Sequence, residues 1–522
     1  MPRYTNQLAG ARVASEGYAG GLNIRDAITA LAPNEARVME NGTLDERGAF
    51  TKRLGCVSHG TFGGSGTERV ISCYTFYRGL TPPQLIIHTS AGAVYYTNDP
   101  AANPITWGTV VTGMSGTAPF SYETFNGACY ISNGVDSYGK WNGSNYSAFA
   151  SAPKGKFIRL WKDTMWMTGV AGNNDRVYAS APGDAESWPA ANWIDLGKGD
   201  GDFTTCLATD GINLIVFKRN RHFTIFDPVS LANRVVDFEK GCESHFSMVQ
   251  FEGETFFLSR RGICKYYGDT PSEIISGKID PMFDPAIINI NALGTVYAYT
   301  FNNQVGWAIP EAGKNFPTLQ LEYYPRLAAS TVAGSPAVGP FVLHRMPAAT
   351  FTKFRSGPTE FLYGGHNANN KFMLLFAPVG TDDGQRMSAT LETGSIHFGD
   401  PTRTKYIRRI RFVGRGLFTV LIKRNYEASQ YKAFTIDLSG IQDMWAMTDQ
   451  WGAGSWGPNS WMQDALVNPD AYGRYFQLRF SDASTTTGLK QFPIGTVDYL
   501  MATGEWGVYS FVAEGVLLGV RD

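Results

Sequence analysis

The sequence is poor in charged side chains, has no long apolar run and shows no excess of either charge. Asp, Glu, Lys and Arg make up 17% of the 522 residues, and the formal net charge is −1. This balance excludes a protein that grips DNA over its whole surface. No segment approaches the roughly 20 apolar residues of a membrane span, and the opening MPRYTNQLAG lacks the apolar core of a signal peptide. We therefore expect synthesis in the cytoplasm and no membrane insertion.

Motifs that would carry chemistry are also missing. The sequence has no G-x-S-x-G motif between a strand and a helix, no phosphate-binding loop and no Ser-x-Asp-x-Gly-x-Thr-Trp turn of the sialidase type. Asp195, Asp200 and Asp202 fail the spacing of a calcium loop, and glycine-flanked Asp is commoner in turns. Six scattered cysteines without a C-x-x-C pair predict buried free thiols: Cys56, Cys73, Cys129, Cys206, Cys242 and Cys264. We expect no catalytic residue, no metal and no cofactor, and hence not an enzyme.

Glycine and aromatic residues are abundant instead. The chain has 58 glycines and 13% aromatic residues, a composition typical of short strands joined by tight turns. An apolar strand, a short turn and an aromatic-rich strand recur from residues 84, 128, 164, 213, 255 and 296, and again from Glu360. The mean interval of about 42 residues is that of β-propeller blades, although hairpins also occur in β-sandwiches. We predict an all-β protein with a β-propeller-like domain of about six blades over residues 59–383.

Two further regions flank the predicted propeller. Residues 1–58 are rich in turn residues and predict an extended arm with one short helix at Pro33–Asn41, in PNEARVMENG. Downstream, longer strands at 405–425 and 475–482 are separated by irregular loops. These strands predict a second β-domain over residues 384–522.

Basic residues cluster at two hairpin turns and on one long strand. Arginine and lysine can contact phosphates without reading bases, so these residues are candidate contacts to a DNA channel or to neighbouring subunits; solvated hairpin tips are the alternative. The candidates are Lys218, Arg219 and Arg221 in the first turn, Arg260, Arg261 and Lys265 in the second, and Arg408, Arg409 and Arg411 on the strand.

Four tryptophans fall within 17 residues of a glycine-rich stretch. Tryptophan is seldom left in water, because each ring carries a large apolar area. We expect a partner-binding tip, since interface cores prefer Trp; a cluster inside its own domain and a glycan-stacking platform are the alternatives. The tip consists of Trp445, Trp451, Trp456 and Trp461.

Several stretches resemble one family of virion proteins. Residues 20–56 carry GGLN, PNEA, MENG and TKRLG, which resemble the N-terminal arm of phage tail proteins. GINLIVFKRNRHFTIFD resembles a strand–turn–strand unit of that family, and GCESHFSMVQFEGETFFLSRRGICKYYGD resembles its next blade. The order of blades, followed by KYIRRIRFVGRG, is similar to that of the tail nozzle, or packaged-DNA stabilisation, proteins of short-tailed bacteriophages. The resemblance covers the layout of residues 20–425.

The resemblance implies a structural protein of the virion tail, assembled in the cytoplasm of a bacterial host. It would form a homo-oligomer, a hexameric ring below the head-to-tail adaptor protein, that retains packaged double-stranded DNA until infection and then lets it pass. A tail fibre, spike or plug protein would be the next partner. Two alternatives stay open: another phage tail or baseplate component, and a carbohydrate-binding β-propeller.

Overall fold

Short β-strands dominate the computed structural model. It describes residues 10–64, 66–79, 81–266, 270–328, 339–398, 403–425, 432–438, 463–482 and 507–517. Six strands come before the first complete blade: β1 (Gly10–Glu16), β2 (Gly21–Leu22), β3 (Glu35–Glu40), β4 (Gly42–Leu44), β5 (Phe50–Lys52) and β6 (Gly55–Thr61). In the described residues, helix is confined to α1 (Pro325–Ala328) and to three 3-10 turns at His245–Ser247, Gly277–Phe283 and Ile290–Thr295. None of these helices has the length and hydropathy of a membrane span.

Five separate four-stranded antiparallel meanders follow one another along the chain. The first two are β7 (Val70–Arg78), β8 (Thr81–Thr89), β9 (Val94–Thr97) and β10 (Gly108–Val111), then β11 (Ser121–Phe125), β12 (Ala128–Ser132), β13 (Tyr138–Trp141) and β14 (Tyr146–Phe149). The third and fourth are β15 (Phe157–Trp161), β16 (Thr164–Val170), β17 (Asn173–Ala179) and β18 (Trp193–Asp195), then β19 (Thr204–Thr209), β20 (Leu214–Lys218), β21 (His222–Ile225) and β22 (Asn233–Asp237). The fifth is β23 (Val249–Phe251), β24 (Glu254–Ser259), β25 (Gly262–Tyr266) and β26 (Glu273–Ile274).

Two more groups of strands follow the fifth blade. A meander of β27 (Tyr297–Phe301), β28 (Gln304–Ile309), β29 (Leu319–Tyr323) and β30 (Phe341–His344) comes first. The last blade contains β31 (Ala348–Ser356), β32 (Thr359–His366) and β33 (Lys371–Ala377), together with the short strands β34 (Thr381–Asp382) and β35 (Gln385–Arg386). Its fourth strand is β6 from the N-terminal region, which pairs antiparallel with β33.

The predicted fold class is confirmed: the protein is all-β, with a six-bladed β-propeller arrangement and an additional C-terminal β-sheet region. The first strand of each meander lies inside, and the six separate sheets form the blades. The β27–β30 meander lies between the fifth and the last blade, where β27 contacts both β23 and β31. Its outer strand β30 continues into the C-terminal sheet.

Adjacent blades are joined by apolar cores. Cys206 and Phe217 of the fourth blade pack with Phe257, Cys264 and Tyr266 of the fifth. Every residue of β20 is buried, because both faces of a blade are covered by its neighbours. The six cysteines are buried free thiols, as predicted.

The C-terminal strands extend the β27–β30 meander into one large sheet. They are β36 (Thr390–Thr393), β37 (Lys405–Arg424), β38 (Lys432–Leu438), β39 (Gln463–Val467), β40 (Ala471–Gly473), β41 (Phe476–Asp482) and β42 (Gly507–Leu517). The order of the main path is β27-β28-β29-β30-β3-β36-β41-β37-β42-β5-β4, and β1 pairs with β42. The N-terminal strands therefore lie along other strands of their own chain.

The prediction of a helix at Pro33–Asn41 is wrong, because residues 35–40 form the strand β3. Ala36 and Met39 are buried in the core of the large sheet. β3 pairs with β2, with β30 and with β36. A short helix has little stability of its own, so pairing on both sides outweighs the helical preference of this segment.

A buried polar network links this N-terminal region to the meander. Glu322 on β29 is fully buried and accepts hydrogen bonds from the hydroxyls of Tyr299 (2.8 Å) and Tyr324 (3.2 Å). His344 Nδ1 lies 3.4 Å from Glu322 Oε1, and His344 Nε2 donates to the carbonyl oxygen of Gly42 at 2.7 Å. Burial raises the pKa of Glu322 to about 7 and lowers the pKa of His344 to about 3. The network therefore holds two neutral groups in mildly acidic solution.

Candidate interface on the fourth blade

The two basic hairpin turns lie side by side at one end of the propeller. Successive connections of an antiparallel meander alternate between its two ends, so the β20–β21 and β24–β25 turns share an end with the connections between blades. We call this the upper end and the opposite one the lower end. The structure thus brings together Arg219, Arg221, Arg260 and Arg261, which the sequence placed in separate hairpins.

Lys218 does not belong to this exposed group. The prediction that it contacts DNA or a neighbouring subunit is therefore wrong. Its side chain is fully buried, and its ammonium donates to Asp175 (2.8 Å), to Asp200 (2.9 Å) and to the carbonyl oxygen of Gly197 (3.1 Å). A buried charge is stable only when it is paired and hydrogen-bonded. Lys265 is also buried and pairs with Glu254 at 3.3 Å. Both lysines hold the propeller together from within.

The glycine-rich connection from the third to the fourth blade shapes the first turn. Asp202 accepts the backbone N–H groups of Arg219 (3.2 Å) and Asn220 (2.9 Å), so it caps the turn as glycine-flanked Asp commonly does. Burial alone would raise the pKa of Asp200, but hydrogen bonds from Lys218 and the backbone of Asp202 hold it below its ordinary value. Asp200 also lies 3.4 Å from Arg221. These carboxylates act as structural anchors.

A buried carboxylate lies beneath the arginines. Glu243 comes from the connection between the fourth and fifth blades, and its oxygens lie 3.4 Å from Arg219 Nε and 3.2 Å from Arg260 Nε. Burial raises the pKa of Glu243, and the two arginines offset part of that effect. Arg261 pairs with the exposed Glu239 at 2.9 Å. The carboxylates thus compensate much of the positive charge of this surface.

Three of the four arginines surround a cavity of about 330 Å³, which we call the arginine groove. Phe238 stands exposed at its edge. The guanidinium of Arg219 also lies 5.0 Å from the ring centre of Phe203, a cation–π contact. The groove is lined by Arg219, Asn220, Phe238, Glu239, Ser259, Arg260 and Arg261.

The remaining predicted residues lie elsewhere. Arg408, Arg409 and Arg411 are on β37 in the large C-terminal sheet, where Arg408 and Arg411 are exposed and Arg409 is half-buried. Their part in contacting DNA or a subunit stays a prediction. The predicted tip of four tryptophans falls outside the described residues: Trp445, Trp451, Trp456 and Trp461.

Sequence reasoning missed a polar group among the inner strands of the propeller. His245 stacks on Phe157 of β15, and its ring nitrogens lie 3.4 Å from Cys206 Sγ and 3.1 Å from Ser121 Oγ. Phe246 stacks on Tyr297 of β27. Burial lowers the pKa of His245 to about 3 and raises the pKa of Cys206 well above its ordinary value. The imidazole is therefore neutral and the thiol protonated, so the pair fills space rather than forming a reactive nucleophile.

These features define an all-β protein built on a propeller. Comparisons with known proteins give only distant similarities. No protein-family model and no curated protein matches the chain. Among solved structures, the computationally designed Ika8 protein is 6% identical and covers 61% of this chain and 99% of its own, with a TM-score of 0.37. The extracellular domain of the putative one component system BT4673 from B. thetaiotaomicron is 9% identical, with coverage of 80% and 59% and a TM-score of 0.42. YCF48 bound to D1 peptide is 12% identical, with coverage of 62% and 95% and a TM-score of 0.36. No functional argument rests on similarities at this level.

Proposed function

We propose that this protein is a structural subunit of a bacteriophage tail. It forms a ring, a hexamer, below the head-to-tail adaptor protein, retains the packaged double-stranded DNA and lets it pass at infection. A tail fibre, spike or plug protein binds the far side, through the tryptophan tip. The proposal rests on the resemblance of residues 20–56 and of the two central hairpin units to tail nozzle proteins, and on the positions of the residues that carry it.

The proposal is supported most by the contacts of these motif residues. They stabilise the fold and do not line a cleft. In the TKRLG stretch, Lys52 pairs with Asp482 at 3.2 Å and Arg53 binds Asp382 through two bonds of 3.0 and 2.6 Å. Gly21, with a φ of +73°, packs so closely on Pro340 that a Cβ would lie 2.5 Å from its Cα. A scaffold keeps such residues because they fix its shape.

The blade motif behaves in the same way. Ser247 Oγ donates to the carbonyl oxygen of Ser244 at 2.7 Å and accepts the N–H of Leu258 at 3.2 Å, which fixes the connection into the fifth blade. Gly262, at the β24–β25 turn, leaves room for the hydroxyl of Ser276, which a Cβ would approach within 2.3 Å. These contacts give the subunit a rigid shape, which a ring that resists DNA pressure requires.

In this proposal the DNA passes along the axis of the ring rather than through the propeller. His245, Phe246, Phe157 and Tyr297 pack together among the inner strands of the propeller, which leaves that region unsuited to a duplex. Charge compensation by Glu243 and Glu239 keeps the exposed arginines from attracting DNA strongly. Weak attraction suits a surface along which DNA must slide.

Electron microscopy of the purified full-length chain tests the ring. We expect closed rings with a central opening wide enough for duplex DNA. A uniformly monomeric protein at every concentration would contradict the proposal. Rings without an opening would place the subunit elsewhere in the tail, as another tail or baseplate component.

One cavity favours the carbohydrate-binding alternative. It measures about 450 Å³ and lies between the first and last blades, with Tyr77 half exposed at its edge. Aromatic rings, hydroxyls and charged groups are the components of a sugar site. The cavity is lined by Tyr74, Thr75, Tyr77, Thr352, Lys353, Arg355 and Glu360. Binding on a glycan array that Tyr77→Ala abolishes, by a monomeric protein, would establish this function instead of the ring.

A further inference from the structure

Exposed apolar side chains are concentrated at the two ends of the fourth blade. Nine large apolar side chains are exposed in the described chain, and four of them lie on this blade or on the connections that flank it. Ile212 (72% exposed) and Val229 (89%) are at the lower end, and Phe203 (39%) and Phe238 (70%) are at the upper end. Single exposed apolar residues are normal on a protein surface, but a pair at each end of one blade makes these two ends the candidates for a contact with another molecule.

The lower end presents its two apolar residues on rigid turns. Asp210 accepts the backbone N–H of Ile212 at 2.9 Å, and Asp227 accepts the backbone N–H of Val229 at 3.1 Å. In both turns the carboxylate fixes the backbone of the apolar residue two positions later. Such preorganisation lowers the entropy that is lost on binding. We call Ile212 and Val229 the apolar knobs.

Charge distinguishes the two ends. Asp210 and Asp227 lie beside the knobs, the neighbouring turn of the third blade adds Asp163 and Lys162, and Arg234 lies over the ring of Phe226. The lower end therefore carries three carboxylates against two cations. The arginine groove carries three guanidiniums against Glu239 and the buried Glu243. A guanidinium has five donors, and the ion pairs recorded for Arg260 and Arg261 use few of them. The net charge of the groove is therefore small, but its remaining N–H donors can hydrogen-bond to carboxylates that are brought into direct contact with it.

We propose that the arginine groove of one copy receives the apolar knobs of the next copy. The inference rests on the proposed ring and names its two contact surfaces. Ile212 and Val229 pack against Phe238 and Phe203, while the carboxylates beside the knobs face the arginines. A contact of groove with groove would oppose guanidiniums of the same charge, so the pairing is head-to-tail. Because the groove and the knobs lie at opposite ends of the blade, successive copies must be tilted relative to one another for this contact to close into a ring; without the tilt it would give an open filament.

Two double variants of the full-length chain test this contact. The knob variant is I212S/V229S and the groove variant is F238S/R261E; all four side chains are exposed, so we expect unchanged melting temperatures. The control V135S/R47E changes one exposed valine on the second blade and one exposed arginine in the β4–β5 turn. Light scattering after size-exclusion chromatography measures the mass over a range of concentrations. We expect the control to assemble like the parent protein and each test variant to associate at least tenfold more weakly.

Mixing the two variants gives the sharper result. The knob variant keeps its groove and the groove variant keeps its knobs, so an equimolar mixture should give heterodimers and nothing larger. A mixture that stays monomeric, or variants that assemble like the parent protein, would overturn the contact while leaving the ring intact. A groove variant that assembles normally but loses binding of a 20-base-pair duplex would assign the groove to DNA and overturn the inference. A parent protein that never assembles would overturn both the contact and the ring.

Discussion

Replacing Glu322 by Gln should remove most of the pH dependence of stability that this buried network creates. The wild-type carboxyl has a pKa of about 7 in the folded protein against an ordinary value of 4.5. A raised acid pKa means that the folded state binds the proton more tightly than the unfolded chain. The carboxyl therefore destabilises the fold when it is charged, above about pH 7, and this cost disappears as the pH falls towards 4.5.

The size of the effect follows from the two pKa values. With one pKa unit worth about 1.4 kcal/mol, Glu322 should make the folded protein about 2 to 3 kcal/mol less stable at pH 8 than at pH 5. The amide side chain of the E322Q variant cannot ionise, yet its carbonyl oxygen at the Oε1 position still accepts from Tyr299, while its nitrogen takes the Oε2 position beside the hydroxyl of Tyr324. The free-energy difference between E322Q and the wild type should therefore shift by about 2 to 3 kcal/mol in favour of E322Q between pH 5 and pH 8.

Urea unfolding followed by tryptophan fluorescence at several pH values measures this difference. Comparing two proteins at each pH cancels the titration of groups that they share, including Glu123 and Glu243, whose pKa values burial also raises. E360Q removes one carboxyl outside the buried network, where the side chain is 30% exposed, and is the control for the loss of a carboxyl elsewhere in the fold. A constant difference between E322Q and the wild type from pH 5 to pH 8 would show that Glu322 is charged throughout.

Three further predictions concern other contacts. Arg53→Ala leaves Asp382 without its two-bond partner and should cost about 3 kcal/mol or more in urea unfolding; a loss below 1 kcal/mol would contradict the anchoring role. Lys218→Met should destabilise the protein by a similar amount because it removes the buried ammonium that Asp175 and Asp200 share, although Asp200 keeps its contact with Arg221. Arg261→Ser should change stability by less than about 1 kcal/mol; equal losses would contradict the assignment of a structural role to Lys218 and of a surface position to Arg261. Changing Trp451 and Trp456 together to Ala should spare the ring and weaken attachment of the next tail component in a pull-down, while unchanged attachment with a lower melting temperature would assign both rings to a core.

The sequence predicted the propeller because its signal is local. Each hairpin is complete within about 15 residues, and five of the predicted hairpins are the second and third strands of the first five blades. The sixth, from Val296, is instead the first and second strands of the β27–β30 meander. The near-constant spacing hid this shift, because the connection before β27 contains two 3-10 turns and is longer than the connections between the first five blades.

The errors have a common cause in contacts between distant residues. Glu35–Glu40 looks helical in isolation, but β36, more than 300 residues later, pairs with it. Lys218 looks like part of an exposed basic tip, but Asp175 and Asp200 from the third blade and its connection enclose its ammonium. The group around His245 lies between four sheets, so no single stretch of sequence reveals it.

The pairing of β6 with β33 also constrains how the protein reaches its fold. β6 leaves the ribosome about 300 residues before its partner, so the last blade cannot be completed until nearly three quarters of the chain has been made. Until then β6 has no partner on this edge, and unpaired edges invite association with other chains. The unfinished chain is therefore open to association with other chains during synthesis. A stop codon before β33 would leave five blades without the pairing of β6 and β33 that completes the last blade.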